Sequence, residues 1–296
     1  MANVLVEESC LSGIASAIRT KNGLTTLYKP SEMATAITSL SIGGLDWAVI
    51  DRTISGTISN NEISSIGAGA FLYCSNLSSV YFSNCTVIGS SAFGSCSKLK
   101  TISIPNCIEI SSNAFSWCKS IAIINFPNCT SISANAFYRC SALSSVTLPK
   151  ANCNQYGSYI FAFCSKLTNI SLPSLTYCAY GMFQSCSKLV NASLPICSVV
   201  DQYAFESCYS LNRISLPSCT DIRNYAFLSC WRLISLYLTA SSVCTLSNIS
   251  AFWGSPIYNS SATAGQFGTI YVPSSLYATY ITSTNWVTIS SRFTSM

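Results

Sequence analysis

Residues 99–107 read L-x-x-I-x-I-P-x-C, with Leu99, Ile102, Ile104 and Cys107 apolar and polar residues between Ile102 and Ile104 and on either side. The Ile-x-Ile step has period two, so it predicts a short strand with one buried face. Proline cannot donate to a ladder, and Pro105 stops the strand. The phrase returns with Leu211, Ile214, Leu216 and Cys219, and Pro127, Pro149, Pro173, Pro195 and Pro217 stop its other copies. After each stop comes a turn, then one more apolar residue such as Ile88, Ile110, Ile132, Val200 or Ile222.

A longer period contains this one. Phe71, Phe93, Phe115, Phe137, Phe161, Phe183, Phe205 and Phe227 stand 22 residues apart, with one gap of 24. Three residues after each comes Cys74, Cys96, Cys118, Cys140, Cys164, Cys186, Cys208 or Cys230. Three further on comes an aliphatic residue, from Leu77 to Leu233, and Phe252 opens a ninth, degraded copy. One unit cannot bury its own apolar side, but stacked coils can. Their strands form a parallel sheet, and the Phe, Leu and Ile columns fill one core. At about 4.8 Å per coil, eight coils span roughly 35–40 Å.

The L-x-x-I-x-L-P-x-C phrase resembles the leucine-rich repeat, with Cys where many members carry Asn. The flanking A-F-x-x-C resembles the BspA-like, Treponema-type subclass over about residues 60–259. Residues 268–293 resemble the closing segment of such proteins, which implies a strand at Ile270 to Val272 and a short helix after Pro273. The resemblance implies a right-handed α/β solenoid with a parallel sheet on one face and a C-terminal strand-helix cap. The expected organisation is a helical module at 1–45, the solenoid at 46–259 and the cap at 260–296.

The N-terminal module lies outside the repeat. Leu11, Ile14, Ala15 and Ile18 share one helical face, and Met33, Ala36, Ile37 and Leu40 share a second. About 40 residues with so thin a core do not fold stably alone. The module is expected to dock on another chain, on its own copies as a homo-oligomer, or on the solenoid as a cap. Residues 11–40 also resemble a short helical segment of tail-associated structural proteins from Gram-positive phages and prophages, which implies attachment to other virion or tail proteins.

Composition narrows the chemistry. The chain has 296 residues, 49% hydrophobic and 8% charged, with a net charge of +5 and no His. It is too apolar for disorder, and its scattered Lys and Arg form no nucleic-acid tract. No apolar run is long enough for a membrane helix, so no membrane insertion is expected. The N-terminal residues do not form a secretory leader, so as written the chain is not expected to be exported by that route.

The 17 cysteines decide the class. Metal sites need clustered ligands such as C-x-x-C, and none occurs. A nucleophile needs a base, and a residue repeated on every coil is not a unique catalytic one. Stacking places equivalent Cys within bridging range, but with parallel Cβ vectors, and their number is odd. Free, buried thiols that act as small hydrophobes remain. The post-Pro Cys is expected to bond turn backbone. Cys118→Ser is expected to cost more than Cys118→Ala, because the hydroxyl would lack a partner. No cofactor, metal or catalytic residue is expected, and the protein is not expected to be an enzyme.

Three surfaces are candidates for binding. Two residues before Phe lie Tyr159, Gly181, Tyr203 and Tyr225, with Tyr180, Tyr209, Trp231 and Phe163 nearby. Repeated surface rings suit recognition, because amphipathic aromatics dominate contact surfaces. Packing between coils is the alternative for them. In the row, Gly181 is expected to leave a notch. The outward strand positions, including Tyr81, Asn125 and Tyr237, are the second surface, and a basic stripe of Lys98, Lys166, Lys188 and Arg232 is the third. With the resemblances, these imply a phage-tail protein in the virion that recognises a bacterial surface protein or glycan. The alternative is a cell-surface or secreted adhesin that binds host proteins or glycans.

Overall fold

The computed structural model describes residues 55–153, 155–259 and 267–296. The N-terminal module, with Cys10, lies outside them. The described chain winds as a parallel-strand solenoid of about eleven coils. Its front ladder runs from Ser55–Ser59 through Asn76–Tyr81, Thr101–Ser103 and Ile123–Asn125 to Arg213–Ser215, Ser235–Tyr237, Thr269–Val272 and Phe293–Ser295. Paired strands are parallel, in register as in Ile170↔Ala192 and Ile214↔Leu236, with one shift between Gly56 and Thr57 in the first pair.

A second ladder, absent from the sequence reading, lies behind the post-Pro turn. It joins Ser65–Ile66, Val87–Ile88, Glu109–Ile110 and Ser131–Ile132, then Tyr177–Cys178, Val199–Val200, Asp221–Ile222 and Thr245–Leu246. Its inward residue is the single apolar position after each turn. Two residues are too few to show a period, so the pattern reads as a turn.

A third ladder has no strand conformation. Around Phe93, Ser91 N donates to Ser112 O at 2.9 Å, Phe93 N to Ala114 O at 2.8 Å and Ser95 N to Ser116 O at 2.7 Å. Two residues before and two after each Phe of the repeat, the backbone turns left-handed, as at Asn113 and Trp117 or Tyr203 and Ser207. These turns aim alternate amides at the next coil. Axial bonding of all three kinds satisfies backbone groups that burial would otherwise strand.

The interior is columnar. Phe71 to Phe227 stack ring on ring at 5.1–5.7 Å, and Phe252 continues the stack at 5.5 Å. The cap closes it as expected, with a strand at Thr269–Val272 and a helix at Tyr277–Thr282. Trp286 lies 5.9 Å from Phe252, and its Nε1 donates to Cys244 O at 2.7 Å.

All sixteen described cysteines are buried and free of disulfides. The two columns do different work. Loop thiols bond across coils: Cys96 Sγ donates to Phe71 O at 3.0 Å, Cys118 to Phe93 O at 3.0 Å and Cys208 to Phe183 O at 3.2 Å. Post-Pro thiols bond within their own turn, as expected: Cys107 to Glu109 O at 3.4 Å and Cys197 to Val199 O at 3.1 Å. The neighbouring Asn reaches the coil before, as Asn106 Nδ2 does to Ser83 O at 2.8 Å. Leu175 and Cys178 are both buried, so alkyl and thiol exchange places as a packing role permits. One expectation is corrected: a serine at 118 has an acceptor waiting in Phe93 O.

Candidate functional site

The left-handed turns put their side chains on one flank. Non-glycine residues cost roughly 1–3 kcal/mol in such backbone, least for Asn and Asp, and large rings are uncommon there. Four of these positions hold Gly69, Gly181, Asn113 and Asn135, the inexpensive solutions. Others hold Tyr73, Trp117, Arg139, Tyr159, Phe163, Tyr203 and Tyr225. The backbone therefore carries bulky rings and a guanidinium where small residues would cost less.

Trp117, Tyr159, Tyr203 and Tyr225 of these join Tyr138, Tyr180 and Trp253, which have ordinary backbone, in one row. Trp117–Tyr138 centroids lie 6.3 Å apart and Tyr138–Tyr159 6.4 Å. Tyr159–Tyr180 and Tyr180–Tyr203 follow at 5.3 Å each, and Tyr203–Tyr225 at 5.1 Å. Tyr225–Trp253 ends the row at 5.8 Å. Seven consecutive coils thus contribute one ring each. Tyr203 and Tyr225 are stacked, and the other contacts are edge-on. All are half-buried except Trp117 and Trp253, which are exposed.

Tyr159, Tyr180, Tyr203 and Tyr225 from the sequence reading come together here. Trp117, Tyr138 and Trp253 were missed, because they come from other offsets in the repeat. Gly181 leaves no notch. Its missing side chain makes room for Tyr159, since a Cβ at 181 would lie 2.5 Å from Tyr159 Cε1. Tyr209 and Trp231 form a separate exposed pair, stacked at 4.3 Å.

Polar groups accompany the rings. Gln184 Nε2 donates to Glu206 Oε2 beside the tyrosines. Burial, then a hydrogen bond to Tyr180, then the Glu206 carboxylate push the Tyr159 phenol up to about 12. At the other end, the Arg139 guanidinium lies between Trp117 at 4.6 Å and Phe163 at 4.4 Å, and Lys119 Nζ sits 5.1 Å from Trp117.

The two other candidate surfaces are plainer. On the front face, Tyr81, Asn125 and Tyr237 occupy one strand position but stand coils apart, among Ser103, Thr147, Ser171, Ser193 and Ser215. A groove of about 1110 Å³ runs along this face over Asn169, Ser171, Asn191, Ser193 and Ser215, with Arg213 towards one end. Tyr237 stacks on Tyr271 at 4.5 Å. Lys98, Lys166, Lys188 and Arg232 are all exposed. They form no unbroken stripe, because Ser120, Ala142 and Ser210 occupy the coils between, and Lys98 Nζ is bonded to Asn76 Oδ1 at 2.8 Å.

Behind the row lies a charged network. Tyr177 OH donates to Asp201 Oδ2 at 2.6 Å, and Arg223 reaches Asp201 at 3.0 Å and Asp221 at 3.1 Å. It ties the back ladder across three coils. Among the described residues no group of three His, Cys, Asp or Glu could hold a metal ion, and no helix is long and apolar enough to cross a membrane.

Comparisons with known proteins bear on this geometry. The family described as BspA type leucine rich repeat region matches residues 51–122, 86–199 and 130–259. A leucine-rich repeat protein of T. pallidum is 26% identical, covering 55% of this chain and 80% of its own, with a TM-score of 0.48. One from Bacteroides ovatus is 18% identical, covering 80% and 76%, with a TM-score of 0.40. A leucine rich cell surface protein from Faecalibacterium prausnitzii is 19% identical, covering 80% and 81%, with a TM-score of 0.36. No curated protein matches the chain.

Proposed function

The chain belongs to the BspA-type leucine-rich repeat family, and from that premise we propose that it is a non-enzymatic binding protein of a cell or virion surface. The aromatic row from Trp117 to Trp253 is its contact surface. One observation carries this reading: four of its rings, Trp117, Tyr159, Tyr203 and Tyr225, occupy left-handed turns that Gly, Ser and Asn fill on other coils. Packing alone gives no reason to accept that strain, since coils lacking the rings stack as well. Backbone strain kept at one surface marks a functional site.

The test is binding of the labelled full chain to bacterial cells and to a glycan array. Tyr180→Phe with Tyr203→Phe keeps the ring contacts and removes two hydroxyls. Weakened binding at an unchanged melting temperature supports the row. Unchanged binding, with loss on Ser193→Tyr instead, moves the site to the front groove.

The finer assignment is attachment to a phage tail, and its support is the sequence of residues 11–40 alone. Residues 1–45 would then dock on another virion protein, and deleting residues 1–42 would leave a folded solenoid that no longer joins its assembly. The competing assignment is a cell-surface or secreted adhesin, for which the same deletion leaves surface binding intact.

A further inference from the structure

Arg139 is the unexplained group on the flank. Its guanidinium carbon sits over the Trp117 ring at 4.6 Å and the Phe163 ring at 4.4 Å, with Tyr138 5.4 Å away. An arginine carries five N–H donors, yet none of Arg139's side-chain donors has a hydrogen-bond partner among the described residues. Its Nε is buried and unpaired. The described ion pairs belong to Arg223, not to Arg139. Lys119, over the same indole, is likewise without an ion pair. Two cations therefore share one tryptophan, with no carboxylate paired to either among the described residues.

A purely structural arginine would use its edge as well as its faces. Here three rings crowd the guanidinium within 5.4 Å and restrict it, while its terminal nitrogens have no hydrogen-bond partner among the described residues. A guanidinium fork matches a carboxylate or phosphate in two parallel charge-assisted hydrogen bonds. Its rotamer entropy is already spent against the rings, so little more is lost on binding.

We propose that Arg139, clamped by Trp117 and Phe163 and assisted by Lys119, is the acid-reading end of the aromatic row, and that the ligand is an anionic polysaccharide. This deepens the reading of the row as the contact surface and rests on it. The polysaccharide follows from what lies beyond the clamp. From Tyr159 to Tyr225 the row offers one ring per coil at 5.1–5.3 Å, each with a phenolic hydroxyl. The Gln184–Glu206 pair adds a donor and an acceptor beside them. A repeating ligand with apolar ring faces and many hydroxyls fits such a surface. An acidic peptide matches it less well, because the ring contacts repeat once per coil and each Tyr presents a hydroxyl beside its ring face. Glu206 repels further anions in the middle of the row, so the acid belongs at the Arg139 end.

The probes are polygalacturonate for carboxylate, phosphomannan for phosphate, and dextran and poly-glutamate as controls, titrated against the full chain. At least one acidic polysaccharide should bind more tightly than dextran or poly-glutamate, and which one identifies the oxyanion. Arg139→Gln should lower that affinity about tenfold or more and flatten its salt dependence. Arg139→Lys, which keeps the charge but not the flat fork, should recover only part of the loss. Both variants should melt within a few degrees of the parent. The inference is overturned if Arg139→Gln binds like the parent, if Arg139→Lys restores binding fully, or if dextran or poly-glutamate binds as tightly. Dextran bound through Tyr203 and Tyr225 but not Arg139 would sink the acid clamp and keep the row. Binding that ignores Tyr203 and Tyr225 as well would sink both.

Discussion

The interior and the aromatic flank are built on the same coils and treat repetition in opposite ways. Inside, each loop sets the same Phe over the last and most set the same thiol against the previous Phe carbonyl. On the flank, the left-handed positions run from Gly69 through Asn113 and Arg139 to Tyr225. Uniform columns are what stacking demands, since each coil meets only its neighbours. Residues that change while their backbone stays constant answer to something outside the chain.

The largest effect should come from titrating the interior. Burial pushes the Cys129, Cys140, Cys186 and Cys197 thiols up to about 12. In the unfolded chain they ionise near the usual value of about 8.5. The folded state therefore holds more protons above that pH. Stability is full below about 8.5 and falls towards 12, by up to about 1.4 kcal/mol per pH unit for each such thiol. Melting temperature should drop steeply above about pH 9, and a flat profile from pH 8 to 10 would count against a sealed interior.

Next comes Gly181→Ala. It adds left-handed strain of roughly 1–2 kcal/mol and drives a methyl into the Tyr159 ring. Melting temperature and cell binding should both fall. Undisturbed binding would show that the row need not be continuous.

Tyr203→Ser with Tyr225→Ser removes a stacked pair worth about 0.5–1.5 kcal/mol beyond its buried area. Binding should be lost with a modest fall in melting temperature. A collapse of the fold would place these rings with the interior instead. The smallest difference is expected between Cys118→Ser and Cys118→Ala. Serine keeps a donor for Phe93 O, so it should cost no more than alanine in urea unfolding, within about 1 kcal/mol. A much less stable serine variant would show that the thiol acts by volume alone.

Repetition also decided what could be read from sequence. Phe, Cys and Leu return at one spacing, so the coil, its strand and the packing role of the thiols were legible. The back ladder was not, because a strand of two residues shows one inward side chain and reads as a turn, and the left-handed loop was not, because its order lies in backbone bonds between coils. Gly69, Asn113, Asn135 and Gly181 were the available hint, since those residues tolerate such turns. Of the row, Tyr159, Tyr203 and Tyr225 share one offset and could be found. Trp117, Tyr138 and Trp253 sit at others and meet only once the chain is wound. Arg139 is one of the scattered cations in the sequence, and only the winding brings Trp117 and Phe163 to it.

The 24-residue repeat gives the array a seam. Registered front pairing stops between Thr101–Ser103 and Ile123–Asn125 and again between Ser145–Thr147 and Asn169–Ser171, but among the described coils back pairing stops only at the second place, between Ser131–Ile132 and Tyr177–Cys178. Asn152 patches the back: its carbonyl accepts from Ile132 N at 3.2 Å, while its Oδ1 accepts from Thr176 N at 3.2 Å in place of a backbone carbonyl. The loop ladder, the thiol column and the ring contacts pass unbroken, through Cys164 Sγ to Phe137 O at 3.3 Å, Phe137–Phe161 at 5.5 Å and Tyr138–Phe163 at 5.4 Å. Nearest-neighbour coupling is therefore weakest there, and the molecule should unfold as two cooperative blocks, with amides near 145–157 exchanging hydrogen before the coils on either side. The clamp of Arg139 on Phe163 straddles that joint. A ligand seated along the row would act as a splint, and occupancy would be felt as the merging of two melting transitions into one.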